Sequence, residues 1–239
     1  MKRTLIAAIA MLSANYSVVF GASATASSVA TNGGSASASA TATGNADATA
    51  MAGASHGGRA VADAVAYGNR AGYAASDAVA IADRGTAIST SRADARGVSG
   101  GNAIATSESI AGAIGGVAIS NSDARARGAF GGMALSQSYS TALSRWGVAR
   151  SDSRAVGHGL FGGYARSVSD SLADTYGGVA DSRVVADSRA GYRASADANG
   201  IGITVSGPRQ YSPVDVRATS RAARFGRGQS RAVAVEIRR

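Results

Sequence analysis

Small and variable residues alternate without a break along much of this chain. In Gly116-Val-Ala-Ile-Ser-Asn-Ser-Asp-Ala-Arg-Ala126, positions 118, 120, 122, 124 and 126 are Ala or Ser, while 117, 119, 121, 123 and 125 vary freely. The split recurs at Ala134, Ser136, Ser138, Ser140 and Ala142, and at Ala149, Ser151, Ser153 and Ala155. Successive side chains of a strand point to opposite faces, so a period of two puts all the small residues on one face. A helix, with its period of 3.6, does not preserve the pattern. The pattern predicts strands with a uniformly small inner face, because the other positions carry Arg, Asp, Glu and Gln, which are rarely buried unpaired.

The phrase itself repeats. A glycine, usually doubled, restarts it at Gly85, Gly101, Gly116, Gly132, Gly147, Gly163 and Gly178, at intervals of 16, 15, 16, 15, 16 and 15, with less regular members at Gly58, Gly72 and Gly191. Internal periods of this kind mark stacked repeat architectures. Fifteen or sixteen residues fit two short strands and two tight turns, with glycine pairs supplying positive φ. The fold expected is therefore all-β: a parallel β-solenoid, or β-roll, of 15–16-residue coils with a narrow Ala/Ser interior. Buried Ser hydroxyls then need partners, which neighbouring Ser side chains and backbone carbonyls can supply.

Two outward columns stand out. Three residues after the leading glycine come Ile88, Ile104, Ile119 and Leu135, then Arg150, Arg166 and Asp181. Exposed apolar ladders mark interfaces, so the first four form a candidate subunit contact; the alternative is packing against the chain's own N-terminal segment. Just before the turn glycines stand Val98, Ile114, Phe130, Trp146, Phe161 and Tyr176. They either fill one corner of the coil or form an aromatic ladder, Phe130, Trp146, Phe161 and Tyr176, that binds sugar rings.

The flanks read differently. Residues 25–57 form an Ala/Ser-rich alternating segment, either further coils of smaller girth or a silk-like arm that orders on assembly. The repeats proper span 58–207, and Gly207-Pro208 and Ser212-Pro213 punctuate the exit into a basic cap over 208–239. That cap reads as strands rich in arginine, among them Arg217, Arg221, Arg224, Arg227, Arg231, Arg238 and Arg239, against Asp215 and Glu236. Such strands blunt an open sheet edge by charge repulsion. They are also candidate contacts to anionic surfaces: acidic glycan, lipopolysaccharide or extracellular DNA.

Composition sharpens this picture. The chain has 239 residues with 32 Gly, 2 Pro, no Cys and only 5% aromatics, so its apolar 45% is mostly Ala. Burying a methylene-sized group contributes only about 0.8 kcal/mol, so such a core is stable only when many identical contacts add up. Lys2 and Arg3, the apolar run from Leu5 to Leu12 and the small residues Ala22-Ser23-Ala24 read as a signal peptide over 1–24, cleaved before Thr25, and predict a secreted or cell-surface protein. Its loss leaves 22 Arg against 15 acids out of a formal charge of +9, with the excess toward the C-terminus.

Candidate chemistry is sparse. The two histidines, His56 and His158, lie about a hundred residues apart, and there is no HExxH, Walker-A or Gly-x-Ser-x-Gly phrase. No metal, cofactor or enzymatic activity is expected. The nearest approach to clustered outward carboxylates, which a polysaccharide hydrolase would need, is Asp170, Asp174 and Asp181.

Gly116-Val-Ala-Ile-Ser120 and Asn102-Ala-Ile-Ala-Thr-Ser-Glu-Ser resemble the head repeats of trimeric autotransporter adhesins over about residues 85–190. The resemblance implies a left-handed parallel β-roll that trimerises on host or matrix surfaces, although that family's coiled-coil stalk and membrane anchor have no counterpart here. The closing Ala-Val-Ala-Val-Glu-Ile-Arg-Arg resembles the basic last repeat of a curli nucleator, without the Gln/Asn ladders of curli. A flattened solenoid is also similar to some insect antifreeze proteins, but ice binding needs a flat Thr ladder and these outward columns mix Ile, Arg, Asp and Tyr. The function expected is adhesive or structural, with self-association; the alternative is an amyloid-like extracellular fibre subunit.

Overall fold

The computed structural model describes residues 22–238 apart from short stretches at 45, 69–71, 98–101, 131–132, 162, 194, 208–211 and 224–225. The signal-peptide residues Lys2, Arg3 and Leu5 to Leu12, together with Val98, Arg224 and Arg239, lie outside the described residues. Among the described residues fifteen strands follow one another: β1 (Ala22–Ala30), β2 (Ser35–Gly44), β3 (Ala46–Ala54), β4 (Arg59–Gly68), β5 (Tyr73–Asp83), β6 (Thr86–Gly97), β7 (Ala103–Ile114), β8 (Val117–Gly128), β9 (Met133–Arg145), β10 (Val148–Gly159), β11 (Tyr164–Thr175), β12 (Val179–Ala190), β13 (Ser195–Ser206), β14 (Val214–Ala222) and β15 (Arg227–Arg238). Odd strands form one sheet of eight and even strands one of seven, each in sequential order, and every pairing is parallel. The chain is a β-solenoid.

The coil is twice as long as expected. Val117 pairs with Val148 and Tyr164 with Ser195, offsets of 31 residues. Each phrase of 15 or 16 residues is thus one long strand and one turn, half a coil rather than a whole one. The physical reason is that the period-two pattern runs unbroken for 12 or 13 residues, leaving no site for a second turn. At the N-terminal end the girth is smaller: Ala22 pairs with Ala46 and Ser35 with Arg59, offsets of 24 residues, before the coil widens through 27 and 28 to 31. Residues 25–57 therefore continue the same two sheets. Ala22-Ser23-Ala24, where cleavage is expected, form the start of β1.

The interior is a layer of Ala and Ser. Strands β2–β4 bury Ala and, at the end of β4, Gly68, and from β5 to β11 Ser occupies the central columns. Ser76, Ser91, Ser107, Ser122, Ser138, Ser153 and Ser169 form an unbroken hydroxyl chain that crosses between the sheets at every step, with oxygen separations of 2.7–3.1 Å. Their hydroxyls also approach backbone carbonyls of the opposite strand, as Ser138 does that of Ser122 at 2.8 Å. These groups satisfy the buried polar atoms that a serine core would otherwise leave bare.

The leading glycines answer a steric demand more than a torsional one. A Cβ on Gly116 would stand 1.8 Å from the Gly85 carbonyl oxygen, and one on Gly147 equally close to that of Gly116. The positive φ falls one residue earlier, on Arg84 (52°), Gly115 (66°) and Trp146 (59°). Successive turns at this edge thus stack backbone on backbone, and only glycine permits that approach.

Candidate functional site

Because consecutive phrases belong to opposite sheets, every outward column inferred phrase by phrase divides in two. The proposed stripe is not continuous. Ile88 and Ile119 pair on the seven-stranded sheet and lead into Arg150 and Asp181. Ile104 and Leu135 pair on the eight-stranded sheet and lead into Arg166 and Asp197.

A longer apolar ladder appears on the eight-stranded sheet instead. Met51, Val79, Ile110, Leu172, Ile203 and Val235 share one register column, with Thr141 as the sole polar rung between Ile110 and Leu172. Beside it stand Ile81, Leu143, Val205 and Ile237, with Gly112 and Asp174 between them. Ile81 is 60% exposed and Ile114, at the end of β7, 55%. The signal was present in the sequence at a spacing of two phrases, not one.

The aromatic column divides likewise. Phe130 and Phe161 stack at 5.5 Å with an interplanar angle of 8°, at the turns that follow even strands. Trp146 and Tyr176 meet edge to face at 5.3 Å and 90°, at the turns that follow odd strands. They are two corner pairs on opposite edges, not one platform. Trp146 also covers Gly177, where a Cβ would come within 2.5 Å of the indole.

The seven-stranded sheet is charged. Its columns mostly alternate in sign along the stack: Arg92, Asp123 and Arg154 are successive rungs, as are Asp152, Arg183 and Asp215. Ion pairs run along the columns, Arg150–Asp181 and Arg183–Asp215 at 3.9 Å. Closer ones join neighbouring columns of one strand, Arg125–Asp123 at 2.7 Å, Arg189–Asp187 at 2.9 Å and Arg150–Asp152 at 3.4 Å. The last column is different: Arg96, Arg127, His158, Arg189 and Arg221 follow one another in register with no acid among them. Burial, then Arg189 and Arg127, holds the His158 imidazole below its ordinary range, with Asp187 opposing them. A groove of about 690 Å³ adjoins only the Arg189–Arg221 end of this column, and its lining interleaves arginines with the carboxylates of Asp123, Asp152, Asp187 and Asp215.

The tail arginines do not form one patch. Arg217 and Arg221 lie on the outer face of β14, and Arg227 and Arg231 on β15 in the other sheet. Arg238 shares an interior column with Ser206 and bonds Glu236, whose carboxylate also accepts the Ser212 hydroxyl at 2.9 Å. Those two bonds hold the Glu236 carboxyl below its usual range.

Asp170 and Asp174 face outward on the eight-stranded sheet and Asp181 on the seven-stranded one, so these carboxylates do not converge. His56 sits in a turn beside the Ser55 hydroxyl, on the edge of the solenoid opposite the end of β10 that carries His158. Among the described residues no three His, Cys, Asp or Glu side chains are grouped to hold a metal, and no helix is long and apolar enough to cross a membrane. No family model, curated protein or solved structure matches this chain.

Proposed function

We propose that this is an exported, surface- or matrix-associated adhesive β-solenoid that assembles with copies of itself through the outer face of the eight-stranded sheet. The observation that carries the reading is the in-register apolar ladder from Met51 to Val235, which runs nearly the whole length of the stack. Apolar surface of that extent and regularity is expensive to leave in water, and monomeric proteins seldom expose it. A second copy is the natural occupant, because a ladder repeating at the strand spacing of about 4.8 Å meshes with another ladder of the same pitch. Structural and adhesive work suits a rod whose chemistry is spread along columns. The reading keeps the adhesin-like role implied by the head-repeat resemblance and has no catalytic component.

Fibre formation is the second reading, and a specific feature favours it. Among the described residues β1 and β2 at one end and β14 and β15 at the other are each paired on one side only, and unpaired parallel edges invite end-to-end addition. Light scattering and analytical ultracentrifugation of the purified protein separate the two. A discrete oligomer supports face-to-face assembly, and concentration-dependent filaments support end-to-end growth. A monomer at all accessible concentrations would overturn both.

A further inference from the structure

We propose that the Arg96–Arg127–His158–Arg189–Arg221 column binds an extended anionic polysaccharide, one carrying a carboxylate on each sugar. This deepens the adhesive reading by naming its partner, and rests on that reading for its biological setting alone.

Stability does not account for the column. Like charges directly opposite one another in a sheet are destabilising, and opposite charges are favourable. Neighbouring columns of the same sheet obey that rule by alternating sign, as in Arg92–Asp123–Arg154. The last column breaks it over five consecutive strands, placing Arg on Arg between β6 and β8 and again between β12 and β14. Arg96 and Arg189 are steadied from the side by Asp94 at 3.8 Å and Asp187 at 2.9 Å. Arg127 and Arg221 are exposed and have no ion pair among the described residues.

The geometry selects the ligand class. Five rungs at the strand spacing span ~19 Å in a straight line. A ribbon-like acidic polysaccharide presents carboxylates along such a line, and each guanidinium can take one through two parallel N–H bonds. The adjoining groove is mixed in charge, its arginines interleaved with Asp123, Asp152, Asp187 and Asp215, so the column itself is the only run of uniform positive sign on this sheet. Duplex DNA fits less well, because its phosphates wind away from a straight row. Single strands bind largely by stacking bases on free aromatic faces, and the nearby Phe130 and Phe161 rings use their facing sides on each other.

The test titrates the purified full-length protein with polygalacturonate oligomers at 0.15 M NaCl, with dextran and single- and double-stranded DNA alongside. Arg127→Gln/Arg221→Gln removes two unpaired rungs. Arg227→Gln/Arg231→Gln removes the same charge from the other sheet, and circular dichroism checks that both variants keep the strand spectrum. The expected result is saturable binding of polygalacturonate but not dextran, weakened at least about tenfold in the first variant and less than about twofold in the second. Equal weakening in both variants, no binding to polygalacturonate, or tighter binding to either DNA would overturn the proposal. A protein that oligomerises yet ignores polygalacturonate would sink the role of the arginine column and leave the assembly intact; a monomer that binds it would do the reverse.

Discussion

Gly202 faces Val216 across the interior, and a Cβ added to that glycine would stand 2.6 Å from Val216 Cγ2 and 2.8 Å from Val214 Cγ1. Gly200 faces Val184 in the same way, with 3.0 Å to its Cγ1. Over most of the stack both sheets contribute Ala or Ser to the interior. Here the even strands contribute Val and β13 yields the room, so total volume is held constant while its division between the sheets changes.

Gly202→Ala is therefore expected to destabilise by about 1–3 kcal/mol, the usual range for overpacking a filled interior. Val216→Ala should also destabilise, by vacating space. The double variant should be more stable than the sum of the two losses predicts, because each change relieves the other. Urea denaturation of all four proteins measures the coupling, and strict additivity would refute the volume exchange.

The glycine edge makes a sharper prediction. Gly147→Ala drives a methyl into the Gly116 carbonyl, which is backbone and cannot swing aside. A loss above ~3 kcal/mol is expected, at the upper end for overpacking. Gly112, outward on β7, would place its Cβ in open space, with nothing within 4 Å. Gly112→Ala should be neutral or stabilise by a few tenths up to ~1 kcal/mol, by restricting the unfolded chain. Thermal unfolding of the two variants in parallel decides the matter.

The serine chain is tolerant of loss and intolerant of bulk. Ser138→Ala removes one link, yet the Ser153 hydroxyl retains the residue 138 carbonyl at 2.7 Å as an acceptor. The cost should be about 1 kcal/mol, as for a single buried hydrogen bond. Ser138→Val both removes the link and widens a fully buried position, so it should cost more than Ser138→Ala. If the two denature at the same urea concentration, the interior is looser than the hydroxyl spacings imply.

Strand type, inner face and stacking were legible in the sequence because Ala118, Ser120 and Ser122 have their counterparts at every repeat, and a period of two has one structural meaning. Coil length was not. A turn glycine marks a corner without saying whether the chain has completed half a circuit or a whole one. That ambiguity scattered the outward columns: Ile88 and Ile104 occupy equivalent places in successive phrases and face opposite ways. The Met51-to-Val235 ladder, the arginine column and the paired corners of Phe130 and Trp146 all emerge once columns are read every second phrase. Gly200 and Gly202 read as weak strand residues until their valine partners across the interior are known.

Acid should strengthen this fold before it harms it. Burial pushes the carboxyls of Asp63, Asp77, Asp152 and Asp170 above their usual range, with Glu108 adding to the effect at Asp77. A carboxyl raised in the folded state contributes stability that is complete below its unfolded value, ~3.9, and is lost as pH rises through the folded value. The melting temperature is thus expected to climb as pH falls from 7 toward 4.5. Asp170→Asn should raise it at pH 7 and flatten the slope, since Asp170 is shifted by burial alone and its Oδ1 has no hydrogen-bond partner. Glu236 opposes this trend, but it is fully exposed. His158, which burial holds below its ordinary range, opposes it as pH falls through the unfolded imidazole value of ~6.5, so the comparison is made in a His158→Gln background. A melting temperature that falls steadily over the same interval would contradict the assignment.

The assembly face can be tested against its opposite. Ile110 and Leu172 lie on the ladder of the eight-stranded sheet, either side of Thr141; Ile88 and Ile119 are neighbours on the seven-stranded sheet. All four are partly exposed, so lysine at any of them can run its stem along the sheet and keep its ammonium in water. Folding should survive in both double variants. If copies meet through the eight-stranded sheet, Ile110→Lys/Leu172→Lys places four uncompensated charges in a dimeric contact and should dissociate it, whereas Ile88→Lys/Ile119→Lys should sediment as the parent does. The reverse outcome would move the contact to the charged sheet. It would also remove the arginine column from solvent, because a rod cannot bury that face against its twin and still offer it to a polymer.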